Sequence, residues 1–148
     1  LDLMYDSAMA AEKLNKLDVL ETRLKRLIEL KPDHAQAYNA LGYTLADRNL
    51  RLPEARHFIE KALSLAPEDG FILDSMGWVL YRQGEVDKGL AYLRKAYTAR
   101  PDPEIAAHLG EVLWAKGQRK EAEDILRKAQ QGHPDNEELQ AVIRKYLK

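Results

Sequence analysis

The stretch GFILDSMGWVLYRQGEVDKGLAYLRKAYTARP, residues 70–101, holds two helical halves and their punctuation. Leu73, Met76, Gly77 and Leu80, then Leu90, Leu93, Ala96 and Tyr97, recur at threes and fours, the spacing of an amphipathic helix and not of a strand. Gly84 stands between the halves, where a left-handed residue closes a first helix, and Pro101 ends the second. The stretch predicts two antiparallel helices joined by a short turn.

The same plan runs along the chain. Four of the six prolines, Pro32, Pro67, Pro101 and Pro134, are separated by 35, 34 and 33 residues, a period that means a repeat protein. Gly42, Gly77 and Gly110 keep step with them, as do the small pairs Ala55 and Ala62, Gly89 and Ala96, and Ala122 and Ala129. Small residues at facing positions let two helix axes approach toward the short end of the usual range of about 8 to 10 Å. Asn15, Asn49 and Gly117 occupy the place of Gly84, and Asp33, Asp69, Asp102 and Asp135 are placed to cap the following helices. Pro103 suits a first helical turn, and one extra residue in 47–53 lengthens the second inter-helix turn.

An apolar residue three before the glycine, a small residue twelve or thirteen after it, another seven later and a closing proline resemble the tetratricopeptide repeat (TPR) consensus. The resemblance implies an all-α, right-handed α-solenoid of antiparallel helix pairs. It frames residues 1–148 as a single domain: repeats 1–34, 35–69, 70–102 and 103–136, then a capping helix 137–148. The first repeat departs most, with Ser7, Ala8, Leu20 and Leu27 where Leu, Gly and two alanines are usual. No polar cap covers the front, where Leu3, Met4 and Met9 open the first helix, so self-association through that end is one expectation and ordinary core the other. The start at Leu1, inside a repeat and without methionine, is expected of a segment of a longer protein.

With 45% apolar and 32% charged residues the chain can form a soluble domain, and no stretch approaches the roughly 20 apolar residues of a membrane span. A net charge of -1 and scattered basic residues argue against nucleic acid. Zero cysteines removes disulfides, thiolate metal sites and thiol nucleophiles. Ser7, Ser64 and Ser75 lie in no nucleophile-elbow sequence, and no glycine-rich loop cradles a phosphate. Glu104, His108 and Glu111 share a helical face, but two carboxylates and one imidazole make an incomplete metal site and read as a solvated or peptide-facing stripe. His34, His57 and His133 read as surface residues. The sequence thus predicts no enzyme, no cofactor and no metal.

In TPR proteins the first helices line a concave groove, and the resemblance carries that role onto Asn39, Tyr43, Asp47, Phe71, Asp74, Trp78, Tyr81, Arg82, His108, Glu111 and Trp114. Both tryptophans fall in this set, and aromatic residues with a polar tip are frequent anchors for partners. The bland alternative is that Trp78 and Trp114 pack between adjacent first helices. The wider set of groove positions holds seven acids (Asp2, Asp6, Glu12, Asp47, Asp74, Glu104, Glu111) against two bases (Lys13, Arg82), an excess of five that favours basic or neutral protein segments. On this basis Trp78→Ala with Tyr81→Ala is expected to abolish partner binding without unfolding.

Residues 41–48, 74–82 and 104–114 also look like the carboxyl-terminal repeats of bacterial outer-membrane TPR lipoproteins, some of which deliver substrates to a periplasmic processing protease. That resemblance implies a periplasm-facing adaptor segment tethered elsewhere by a lipid, with no membrane insertion of its own. The function expected is a noncatalytic protein- or peptide-binding scaffold; the alternative is a structural segment of a longer superhelix, or a self-association module, with nothing bound in its groove.

Overall fold

The computed structural model describes residues 2–147, apart from the side chain of Asp2; the expected repeat start at Leu1, the groove position Asp2 and the helix end at Lys148 lie outside what is described. The described residues form α1 (Asp2–Lys13), α2 (Leu17–Leu30), α3 (Ala35–Asp47), α4 (Leu52–Leu65), α5 (Gly70–Arg82), α6 (Val86–Ala99), α7 (Pro103–Lys116), α8 (Arg119–Gly132) and α9 (Glu137–Tyr146), with no strand among them. They gather into two compact units, Leu1–Glu68 with α1 to α4 and Asp69–Lys148 with α5 to α9. Among the described residues no helix is long and apolar enough to cross a membrane.

Each helix pair is closed by backbone that only certain residues adopt. Asn15 (φ 59°), Asn49 (φ 57°), Gly84 (φ 88°) and Gly117 (φ 91°) take the left-handed conformation at the four inter-helix turns, as their positions predict. The longer second turn adds a further left-handed residue, Arg51 (φ 42°), a conformation that costs a side-chain-bearing residue about 1–2 kcal/mol. An ionic fork offsets that strain: the Arg51 guanidinium donates to both Glu21 oxygens, at 2.6 and 3.2 Å. Hydrogen bonds from Arg51 and Lys25 hold the Glu21 carboxyl down at about 2.

Helix starts follow the sequence in part. Asp69 accepts from the Phe71 and Ile72 amides and Asp102 from the Glu104 amide, as expected. At the other two starts the cap is one residue later: His34 Nδ1 accepts from the Ala37 amide at 3.1 Å, and Asn136 accepts from the Leu139 amide at 2.9 Å. Asp33 and Asp135 are exposed and do not cap, and His34, half-buried, also stacks on Tyr5. A residue that follows the turn sits nearer the second and third free amides than one inside it.

The small residues bring the paired helices together. A Cβ added at Gly77 would lie 2.7 Å from Leu93 Cγ and 2.8 Å from the Gly89 carbonyl, closer than any real Cβ tolerates. Gly77→Leu therefore overpacks the α5–α6 seam and is expected to lower stability by about 1–3 kcal/mol despite better helix propensity. A lower melting temperature by circular dichroism checks this; an unchanged one means the seam is loose. Unit 1 is filled by Ala8, Leu20, Leu24, Leu27, Ala37 and Leu41, with Phe58 packed on them. The unusual Leu20 and Leu27 of the first hairpin are fully buried, so larger residues serve there as core. In unit 2, α9 lays Leu139 and Ile143 onto Ala106, Ala107 and Leu126, which makes it a full member of the packing.

Candidate binding surface

One face of unit 2 collects most of the residues singled out by sequence. On α5, Asp74, Trp78 and Tyr81 are spaced by four and three; on α7, Glu104, His108 and Glu111 repeat that spacing, so each row lies along one side of its helix. Helix α7 packs against both α5 and α9, which brings the rows together and adds Glu138 and Tyr146 from α9.

The N-terminal part of this face is closed by an ionic network. His108 Nδ1 lies 2.9 and 3.0 Å from the two Asp74 oxygens, and its Nε2 lies 3.1 Å from Glu138 Oε1. Ionised carboxylates only accept, so a ring flanked by two of them donates from both nitrogens and is an imidazolium. Burial alone would lower the His108 pKa, but the charge and hydrogen bond of Asp74, with those of Glu138, outweigh it and raise it to about 10. Burial pushes the Asp74 carboxyl above its usual range, with the His108 charge opposing. The Trp78 ring stacks on the imidazolium at 4.2 Å and 26°, a favourable cation–aromatic contact, and the Arg82 guanidinium sits 4.8 Å from the indole centre.

These contacts correct three expectations. Trp78 is 4% exposed, Asp74 5% and His108 3%, so none of the three is a contact residue on the face of this unit. The reason is geometric: a side chain on the flank of one first helix meets the next first helix before it meets solvent, as Asp74 meets His108 thirty-four residues on. His108 is accordingly not part of a solvated stripe, and with both nitrogens donating it offers no lone pair to a metal. The acidic excess also shrinks, since Asp74 is buried against a cation.

Toward the C-terminal ends of the same helices the surface opens. Tyr81, Arg82, Glu111, Trp114 and Tyr146 are half-buried and Lys145 is exposed. Trp114 has Tyr146 at 5.5 Å and the Arg119 guanidinium at 4.9 Å, and Tyr81 lies 5.3 Å from Trp78. Burial and the nearby Glu111 charge raise the Tyr81 pKa, and burial with the Glu138 and Asp102 charges raises that of Glu104. Phe71 is 38% exposed, with the Arg100 guanidinium 4.5 Å over its ring.

The remaining candidates belong to unit 1. On α3, Asn39 and Tyr43 are half-buried and Asp47 is exposed. Asn39 Oδ1 is inaccessible and has no hydrogen-bond partner among the described residues. Sequence reasoning missed Glu138 and Tyr146, because α9 was treated as a lid. Its spacing held the signal: Glu138 stands thirty-four residues after Glu104, and Leu139 and Ile143 repeat the apolar rhythm of the earlier first helices.

Comparison with known proteins agrees with this architecture. Two family models described as tetratricopeptide repeat match residues 5–70 and 80–146. The TPR repeat-containing protein PA4667 of Pseudomonas aeruginosa is 53% identical over 109 residues, which is 74% of this chain and 18% of that protein, so the chain spans less than a fifth of that relative. Among solved structures, TTC0263, a thermophilic TPR protein of Thermus thermophilus, superposes with a TM-score of 0.85 at 24% identity over 97% of this chain and 79% of that one. PilW, a widely conserved type IV pilus biogenesis factor, gives 0.81 at 20% identity over 93% of this chain and 64% of that one; at such identities the likeness is one of fold. The repeated helix pairs, the small residues between them and these matches together place the chain in the tetratricopeptide repeat family, with its all-α solenoid fold.

Proposed function

We propose that this chain is a noncatalytic protein-interaction scaffold, and that in unit 2 the partner docks on Tyr81, Arg82, Glu111, Trp114, Lys145 and Tyr146. The observation that carries the proposal is the division of one face. Its N-terminal part is closed by Asp74, His108 and Glu138, while its C-terminal part leaves three large aromatic side chains half-accessible beside charged groups. Such amphipathic rings give contact area at low entropic cost and are enriched where partners anchor. Asn39, Tyr43, Asp47 and Phe71 are further contact positions in this reading, each on a first helix. These docking residues set Arg82 and Lys145 against Glu111, and Asp74 contributes no accessible charge, so a neutral segment suits this surface better than a strongly basic one.

The identity to a much longer Pseudomonas protein, of which the matched residues are 18%, supports a role as part of a longer bacterial adaptor, and a periplasmic setting belongs to this same proposal. The test is capture from lysate and envelope fractions of the source organism by the wild-type chain and by Tyr81→Ala with Trp114→Ala. Both side chains are partly exposed, so the double variant is expected to fold and to lose the captured partner, by roughly the 2 kcal/mol or more of a hot spot. Undiminished capture by the folded variant would move the contact off this surface.

A further inference from the structure

The first residue of α8 breaks a pattern. The second helices α2, α4 and α6 begin on Leu17, Leu52 and Val86, each half-buried, whereas α8 begins on Arg119, which is exposed. A charged residue at a place the other hairpins keep apolar is a local departure of the kind that marks functional positions. The Arg119 guanidinium lies over the Trp114 ring, 4.9 Å from its centre, a cation–aromatic contact. Among the described residues it makes no ion pair, not even with Glu123 one turn along α8. Neighbouring cations behave differently: Arg51 pairs with Glu21, Arg94 with Glu121 and Lys116 with Asp87.

A second cation borders the same aromatic pair. Tyr146 lies 5.5 Å from Trp114, and the exposed Lys145 holds its ammonium 5.2 Å from the Tyr146 ring centre, without an ion pair among the described residues. Setting aside the pairs Lys116–Asp87 and Arg94–Glu121, the described residues within one turn of Trp114, Arg119 and Tyr146 hold four bases, Arg119, Lys120, Arg144 and Lys145, against two acids, Glu111 and Glu123. The open end of the face therefore carries a surplus of positive charge around two half-buried rings.

We infer that Arg119 and Trp114 form a subsite for an acidic side chain of the docked segment, an aspartate or glutamate whose carboxylate meets the Arg119 guanidinium while a neighbouring apolar residue lies on Trp114 and Tyr146. Stacking on the indole holds the guanidinium in one plane, so its fork of N–H groups loses little further freedom when an acceptor arrives. A planar carboxylate matches that fork with two parallel hydrogen bonds. One such group in an otherwise neutral segment answers the local surplus of positive charge. The inference rests on the reading of this face as a docking surface and adds to it the charge that the segment carries and the residue that reads it.

The test uses the whole chain, isotopically labelled, and blocked pentapeptides of the form glycine–leucine–X–leucine–glycine, in which X is glutamate, glutamine, lysine or phosphoserine and no terminal carboxylate is present. NMR titration at millimolar peptide follows the Trp114 indole N–H and the Arg119 Nε–H. The glutamate peptide is expected to shift both resonances saturably and to bind at least about tenfold more tightly than the glutamine peptide, the loss that goes with a charge-assisted hydrogen bond. Lysine binds more weakly still, and the preference shrinks at high salt. Arg119→Leu, which places here the residue type of α2 and α4, keeps a melting curve close to wild type and brings glutamate and glutamine within about twofold of each other; Arg119→Lys, which keeps the charge and loses the planar fork, retains only part of the preference. Shifts at Trp114 that are equal for glutamate and glutamine overturn the inference while leaving the docking surface in place, whereas no shift from any peptide overturns both. A glutamate preference that survives Arg119→Leu overturns it by assigning the carboxylate to another group, and a phosphoserine peptide more than about tenfold tighter than glutamate does so by making the ligand a phosphate.

Discussion

His108→Ala lowers the stability of the chain by about 3–5 kcal/mol, because it strands the Asp74 carboxylate in the interior without its cation. For a protein of this size that corresponds to a melting temperature lower by roughly 10 °C. The loss is a property of the pair and not of the imidazole alone. Asp74→Ala with His108→Ala removes both charges, and a double-mutant cycle is expected to return a coupling energy of about 1–3 kcal/mol, with the double variant less damaged than the sum of the singles. A result in which the single histidine variant melts like wild type would mean that Asp74 sits protonated and needs no partner. The same pair sets a pH dependence. The folded state holds the His108 proton more tightly than the unfolded chain, with a pKa of about 10 against the ordinary 6.5. Its stabilisation is therefore fully present below about pH 6.5 and is lost as pH rises through about 10. Wild type should lose stability over that window relative to the Asp74→Ala with His108→Ala variant.

Trp78→Ala is the second large effect, and it falls on folding. Truncating a tryptophan that is 4% exposed removes about 3–5 kcal/mol of core packing, and here it also uncovers one face of a buried imidazolium. Guanidinium denaturation should show a lower midpoint with little change in slope. Trp78→Phe keeps a ring over His108 and is expected to recover most of the loss, with Trp114 left as the fluorescent reporter. Wild-type stability in Trp78→Ala would place that indole outside the core. The double substitution first suggested by sequence, Trp78→Ala with Tyr81→Ala, mixes a fold defect with a surface change; Tyr81 and Trp114 separate the two.

The contrast between Trp78 and Trp114 shows where sequence reading stops. Both stand in the second half of a first helix, and both can be drawn on the inner side of a repeat array. Trp78 looks toward α7, where His108 presents a flat cation and Asp74 a counter-charge, so its ring is covered. Trp114 looks toward the end of α9, where Tyr146 and Arg119 cover only part of it. Periodicity says which side of a helix a residue occupies, but not how much of that side its neighbour takes. The helix caps teach the same lesson on a smaller scale. The aspartates at residues 33, 69, 102 and 135 are equivalent in composition, yet only Asp69 and Asp102 cap, because one residue of displacement carries the acceptor out of reach of the free amides.

What the chain's own residues determined is everything that depends on local spacing: the helix pairs, their turns at Asn15, Asn49, Gly84 and Gly117, and the close seams at Gly42, Gly77 and Gly110. These follow from backbone sterics and from the volume of a side chain, which neighbours in sequence suffice to fix. The tertiary structure alone decided that Asp74, His108 and Glu138 meet and that Trp78 is enclosed. Those outcomes depend on which helix flanks are in contact across thirty residues or more, and on the desolvation that contact imposes on charge, and neither quantity is written in the order of the residues.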